Sequence, residues 1–167
     1  MATLVLLVVF LVLCVLKLFK VSISYQKIGR ISMSAMLVFI GFSHFFIPEN
    51  LMEMIPPAIL FALSIVYITG ILELLFAILL LLDKTYKMTG KILMVYFILI
   101  WPANIYNAIN AEDIPGGVEQ YVPYYHWIRV ILIQPFFILW ALLSTTQIKK
   151  VVSYENDGYA AYDKFEQ

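Results

Sequence analysis

Hydrophobic residues in this chain come in long runs separated by short polar intervals, and the runs have the length of bilayer spans. About 20 apolar residues cross a bilayer as an α-helix. The runs at 3–19, 31–47, 58–82, 90–109 and 127–147 approach or exceed that length, and each predicts a transmembrane helix. The third is long enough to tilt. The interval "IPENLMEMIPP" ends at a proline pair, and "NAEDIPGGVEQYVPYYH" holds a Pro-Gly-Gly turn. Without an internal repeat or a long polar stretch, the pattern predicts one all-α integral membrane domain. Residues 1–30 are expected to form an additional N-terminal transmembrane helix and its cytoplasmic connection, 31–147 a four-helix transmembrane bundle, and 148–167 a polar cytoplasmic tail.

Charges orient these runs. Lys17, Lys20, Lys27 and Arg30 flank the first connection, Lys84, Lys87 and Lys91 the third, and Lys149 and Lys150 follow the last run. Glu49 and Glu53 fall on the second connection, and Glu112, Asp113 and Glu119 on the fourth. Lysine and arginine mark the cytoplasmic side. Five spans with the N-terminus outside and the C-terminus cytoplasmic put every basic residue except Arg129 inside, as expected of a multi-pass protein of the cell membrane. The first run has its positive charge after it and no A-x-A-like site, so it reads as a retained helix rather than a cleaved signal. Tyr121, Tyr124, Tyr125 and Trp127 fit an interfacial aromatic belt.

Composition agrees with the pattern. The chain is 63% hydrophobic and 13% charged, against about 45–50% and about 25% in soluble domains. A net charge of zero supplies no field to recruit nucleic acid. The single cysteine, Cys14, excludes an intrachain disulfide, a CxxC redox pair and a cysteine zinc site. His44 and His126 come from separate helices without ligand spacing, so no metal and no intrinsic cofactor is expected.

Against this background one residue stands out: Glu73 lies inside "YITGILELLFAILLLL", residues 67–82. A carboxylate near the bilayer centre costs roughly 2.5–3.5 kcal/mol on insertion scales. Unless a cation pairs with it, the neutral acid is the expected form. Centring each helix on the midplane, at 1.5 Å per residue, puts Glu73 roughly 4–5 Å to the inner side and Tyr67 and Gln134 roughly 4–5 Å to the outer side. His44 and Asn104 fall roughly 7–8 Å outward and Arg129 roughly 12 Å. Gly41 and His44 share a helix face, as do Tyr67, Gly70 and Glu73, and Trp101, Asn104 and Asn107. Gly41 and Gly70 are expected to let neighbouring helices approach closely. Pro102 frees the carbonyl near Ile98 as an acceptor. These polar faces are expected to meet in a pocket that opens outward, or else to serve as hydrogen-bonding glue between helices.

The stretches "GFSHFFIPE", "YITGILE", "GKILMVYFILIWPANIY" and "WIRVILIQPFFILWA" together resemble the DoxX-like membrane proteins over roughly residues 30 to 145. The positions that carry the resemblance are Gly41, His44, Tyr67, Gly70, Glu73, Pro102, Asn104, Trp127, Arg129 and Gln134. It implies a four-helix core, here with one extra N-terminal helix, and an association with quinone-linked sulfur oxidation, redox-stress membrane complexes or chaperone-like roles. The chain departs from the pattern in one place: Gln134 follows Arg129 by five residues, where four with an intervening proline are expected.

Three functions compete on these grounds. In the first, the protein is a redox-associated subunit that binds a quinone or another small lipophilic molecule. Glu73 and Tyr67 handle protons, and His44, Asn104, Arg129, Gln134 and Trp127 hold the ligand. Quinone reduction takes up protons with electrons, and a partner protein must supply the electrons, because the chain carries no evident electron carrier. In the second, the polar residues only fix helix packing in a scaffold or assembly factor. A permease ranks last, because five spans give no inverted repeat.

Overall fold

The computed structural model describes residues 1–19, 23–110 and 124–146. Lys20, Glu112, Asp113, Glu119, Tyr121, Lys149, Lys150 and the 148–167 tail lie outside the described residues. The helices are α1 (Ala2–Leu18), α2 (Tyr25–Phe46), the short α3 (Pro48–Met52), α4 (Ala62–Leu81), α5 (Tyr86–Asn110), α6 (Tyr124–Ile128), a π-helical turn (Arg129–Ile133) and α7 (Gln134–Thr145). Four helical stretches are long and apolar enough to cross a membrane: α2, α4, α5 and the composite from His126 to Thr145.

The apolar runs locate the helices, while caps and breakers set their ends. α2 starts six residues before its apolar run, because Ser24 caps it by accepting from the Lys27 N–H at 3.2 Å. Its first turns carry Gln26, Lys27 and Arg30, which helix geometry tolerates and hydropathy does not register. α4 starts later than its run. The Pro56–Pro57 pair precedes it, and Phe61 at its N-cap takes a left-handed φ of 61°. α5 runs through Pro102 as one helix.

α2, α4, α5 and α7 close a ring in which each helix touches the next. Met33 and Leu37 of α2, Phe76 and Leu80 of α4, Leu93 and Phe97 of α5 and Phe137 of α7 meet in its core. α1 packs outside the ring against α2, with Leu6 fully buried and the Phe10 ring set edge-on to Trp140 at 4.9 Å. At 1.5 Å per residue α1 is about 25 Å long, somewhat short of the roughly 30 Å hydrocarbon core. Outward faces carry Leu11, Ile71, Ile78, Leu99, Leu132 and Leu139, all more than half exposed. Apolar surface of this extent is what a bilayer covers and water does not.

Candidate functional site

The two glycines singled out in the sequence face each other where α2 crosses α4. A Cβ on Gly70 would lie 2.6 Å from the His44 Cβ and 3.1 Å from the Gly41 carbonyl oxygen. A Cβ on Gly41 would lie 2.9 Å from Leu74. Gly90 makes an equally close approach to Thr145, with its Cβ position 2.5 Å from that of the threonine; the sequence reading did not single it out.

This crossing brings His44 to Glu73. The His44 Nδ1 stands 3.3 Å from Glu73 Oε2 and 2.9 Å from the Ile40 carbonyl. A carbonyl only accepts, so Nδ1 carries its hydrogen and directs it at Ile40. Midplane centring separates His44 from Glu73 by roughly 12 Å, and that expectation is corrected. The two helices are staggered by roughly two turns, because α2 continues down to Tyr25 while α4 continues up to Ala62. With Gly41 opposite Leu74 and His44 opposite Gly70, the true offset is roughly 4 Å. Side chains lean toward the N-terminus of their own helix, so in this antiparallel pair the two lean toward each other and close it.

The other Glu73 oxygen, Oε1, accepts from the Tyr96 hydroxyl at 2.8 Å. Tyr96 is the tyrosine that meets Glu73. Tyr67, expected in that role, lies about 9 Å along α4 from Glu73, is 36% exposed and stacks on Phe45 at 5.7 Å. Glu73 itself is only 3% exposed, and its Oε2 is buried without a hydrogen-bond partner.

Higher along α5, Asn104 donates to Gln134 Oε1 at 3.4 Å, and Gln134 Nε2 donates to the Phe97 carbonyl at 2.8 Å. The carbonyl that accepts is that of Phe97, which the helix pattern also pairs with the Trp101 N–H; the carbonyl that loses its i+4 donor to Pro102 is that of Ile98. Gln134 thereby ties α7 to the α5 backbone one turn before Pro102. Gln134→Leu is expected to lower stability by about 1 kcal/mol, measured as the unfolding midpoint in detergent, because it removes the hydrogen bonds that join α7 to the Phe97 carbonyl and to Asn104. An unchanged midpoint would show that the bond contributes nothing. Asn107 and His126 meet at 3.1 Å in the next layer. The Trp101 Nε1 is buried and has no hydrogen-bond partner.

Arg129 opens the π-helical turn, and its carbonyl accepts from the Gln134 N–H, an i to i−5 bond. Pro135 lies immediately beyond and cannot donate, which favours a change of winding at this point. A π turn brings residues five apart onto one face, as an α turn does for residues four apart. The five-residue interval between Arg129 and Gln134 is thus accommodated without turning Gln134 away from the core. Deleting Ile131, which is 61% exposed, is expected to convert the π turn to an α turn and leave the helix folded. Circular dichroism and the unfolding midpoint test this, and collapse of the midpoint would mean that the π turn is required.

Trp127 is 43% exposed and His126 is buried. A groove of about 540 Å³ runs along α2 between Ala35 and Ile47, lined by Val38, Phe39, Phe42 and Phe46. It is apolar and contains none of the expected site residues. The polar residues instead form successive small clusters inside the ring: Glu73, His44 and Tyr96, then Asn104 and Gln134, then Asn107 and His126. Among the described residues no cluster of three or more His, Cys, Asp and Glu side chains is arranged to hold a metal ion.

A family model described as "Domain of unknown function (DUF8561)" matches residues 33–145. No curated protein and no solved structure matches the chain.

Proposed function

The chain belongs to the DUF8561 family, and from its intramembrane clusters we propose a redox-associated membrane subunit that binds a quinone or similar small lipophilic molecule. The observation that carries this reading is the buried Glu73 carboxyl, with one oxygen held by Tyr96 and the other facing His44 without a hydrogen bond. Buried polar groups normally find partners, and an ionisable residue inside a span is a functional candidate by default. Glu73 Oε2 is an acceptor that a ligand hydroxyl would satisfy. Trp101 Nε1 is a donor that a ligand carbonyl would satisfy. A quinone and its quinol carry those two groups. Protons would pass through Glu73 and Tyr96, and electrons would come from a partner protein.

The same reading includes a DoxX-like core, five spans with α1 crossing the membrane, and a cytoplasmic C-terminus. The π turn supports the first point, since it takes up the one residue by which the Arg129–Gln134 interval exceeds the DoxX-like pattern. The distribution of lysines supports the last. A scaffold is the second reading, favoured by the fact that the Tyr96–Glu73, Asn104–Gln134 and Asn107–His126 bonds each join two helices.

Mass spectrometry of organic extracts from purified protein tests the proposal. A near-stoichiometric quinone or other oxygen-bearing lipophile is expected. Bulk lipid alone would overturn it in favour of the scaffold.

A further inference from the structure

At the opposite end of α2 from His44, the basic residues do more than mark a membrane side. The Arg30 side chain is 9% exposed, and its guanidinium lies over the Tyr86 ring with Cζ 3.7 Å from the centroid. Among the described residues its ion-pair partner is Asp83, 3.7 Å from Nη2, which is beyond hydrogen-bond range. The Asp83 side chain is 79% exposed. The Nε and Nη1 of Arg30 are buried and have no hydrogen-bond partner. Lys87 places its Nζ 5.9 Å from the centre of the same ring. Tyr86 also opens α5, so the positive end of that helix dipole lies here. Arg30, Lys87 and the α5 terminus thus converge with one loosely placed carboxylate among them.

A planar fork of unspent guanidinium donors is the arrangement by which arginine binds phosphate oxygens in pairs. Basic sites between helices at the membrane surface hold lipid headgroups in the same way. We propose that Arg30, with Tyr86 and Lys87, forms a phosphate-binding site that takes the headgroup of an anionic phospholipid. Asp83 occupies the fork loosely until the phosphate displaces it. The site is separate from the Glu73 cluster and does not depend on its function.

The full-length protein in detergent is titrated with phosphatidylglycerol or phosphatidylcholine and read by native mass spectrometry, with inorganic phosphate as competitor. Phosphatidylglycerol is expected to bind wild type at least tenfold more tightly than Arg30→Met, the loss that removal of charged hydrogen bonds produces. It is expected to bind Asp83→Asn several-fold more tightly than wild type, since the competing carboxylate is gone. Competition by millimolar inorganic phosphate would make free phosphate the natural occupant, and its absence would assign the site to lipid; both support a phosphate site. Equal phosphatidylglycerol affinity in wild type and Arg30→Met overturns the proposal. If Arg30→Met does not fold, Asp83→Asn decides alone: unchanged or weaker binding overturns it.

Discussion

Gly70→Leu is expected to abolish the native α2–α4 seam. The Cβ of any side chain at position 70 would lie 2.6 Å from the His44 Cβ and 3.1 Å from the Gly41 carbonyl oxygen. Neither is the movable end of a flexible side chain, so the helices themselves must separate. Overpacking of this kind costs about 1–3 kcal/mol and sometimes more. Here the displacement would also part His44 from Glu73 and strip contacts from Phe76 and Leu37 in the core. The unfolding midpoint in detergent should therefore fall by many degrees or the protein should fail to accumulate. Ile71→Leu is the control, because Ile71 is 57% exposed on the outward face. A Gly70→Leu protein as stable as that control would show that the close approach of the two helices is dispensable.

Glu73→Gln should separate binding from folding. Glutamine can accept from the Tyr96 hydroxyl through its carbonyl, as Oε1 does, and its amide then stands in the place of Oε2. The helix contacts are then preserved, and stability should stay within about 1 kcal/mol of wild type, the usual scale of a single hydrogen bond between membrane helices. What glutamine cannot do is accept at the Oε2 position, ionise or pass a proton. Retention of the extracted lipophile should fall at least tenfold in a protein that otherwise purifies like wild type. Tyr96→Phe should weaken retention less, because it leaves the carboxyl in place. If Glu73→Gln keeps the ligand in full, the carboxyl is not its anchor. If wild type and variant both lack one and are equally stable, the cluster serves packing alone.

The helices were legible because bilayer thickness ties hydrophobic length to helix length. That Gly41 and Gly70 admit close neighbours was legible for a related reason, small residues beside intramembrane polar groups; that they face each other was not. The closeness of His44 to Glu73 was not legible because midplane centring sets the two helices level, whereas α2 overshoots α4 at one end of the seam and α4 overshoots α2 at the other. Tyr96 was overlooked because a lone tyrosine within "KILMVYFILI" reads as one more apolar core residue. Yet the depth argument that put Glu73 roughly 4–5 Å inward puts Tyr96 at nearly the same level on the next helix. The signal was present, and only Tyr67, on the same helix as Glu73, was weighed against it. The π turn had two traces in the sequence, the five-residue interval after Arg129 and the proline at 135. A residue count shows that something differs there, but backbone hydrogen bonding decides that the difference is absorbed within one turn. The stagger of α2 against α4 left no such trace, since it depends on side-chain fit along the whole seam.

Leu6 has a consequence for heredity and folding alike. It comes from α1, outside the family match, and is buried completely against residues inside that match. The match opens at residue 33, partway along α2, so it also excludes the Ser24 cap, Arg30 and the Gly29 carbonyl to which the Trp140 Nε1 donates at 3.0 Å. The segment that the family model matches and the segment that packs together are therefore different units. A gene fragment trimmed to the matched boundary would encode α2 without its first eight residues and without its cap, and a relative that dispenses with α1 must cover the place of Leu6 from elsewhere.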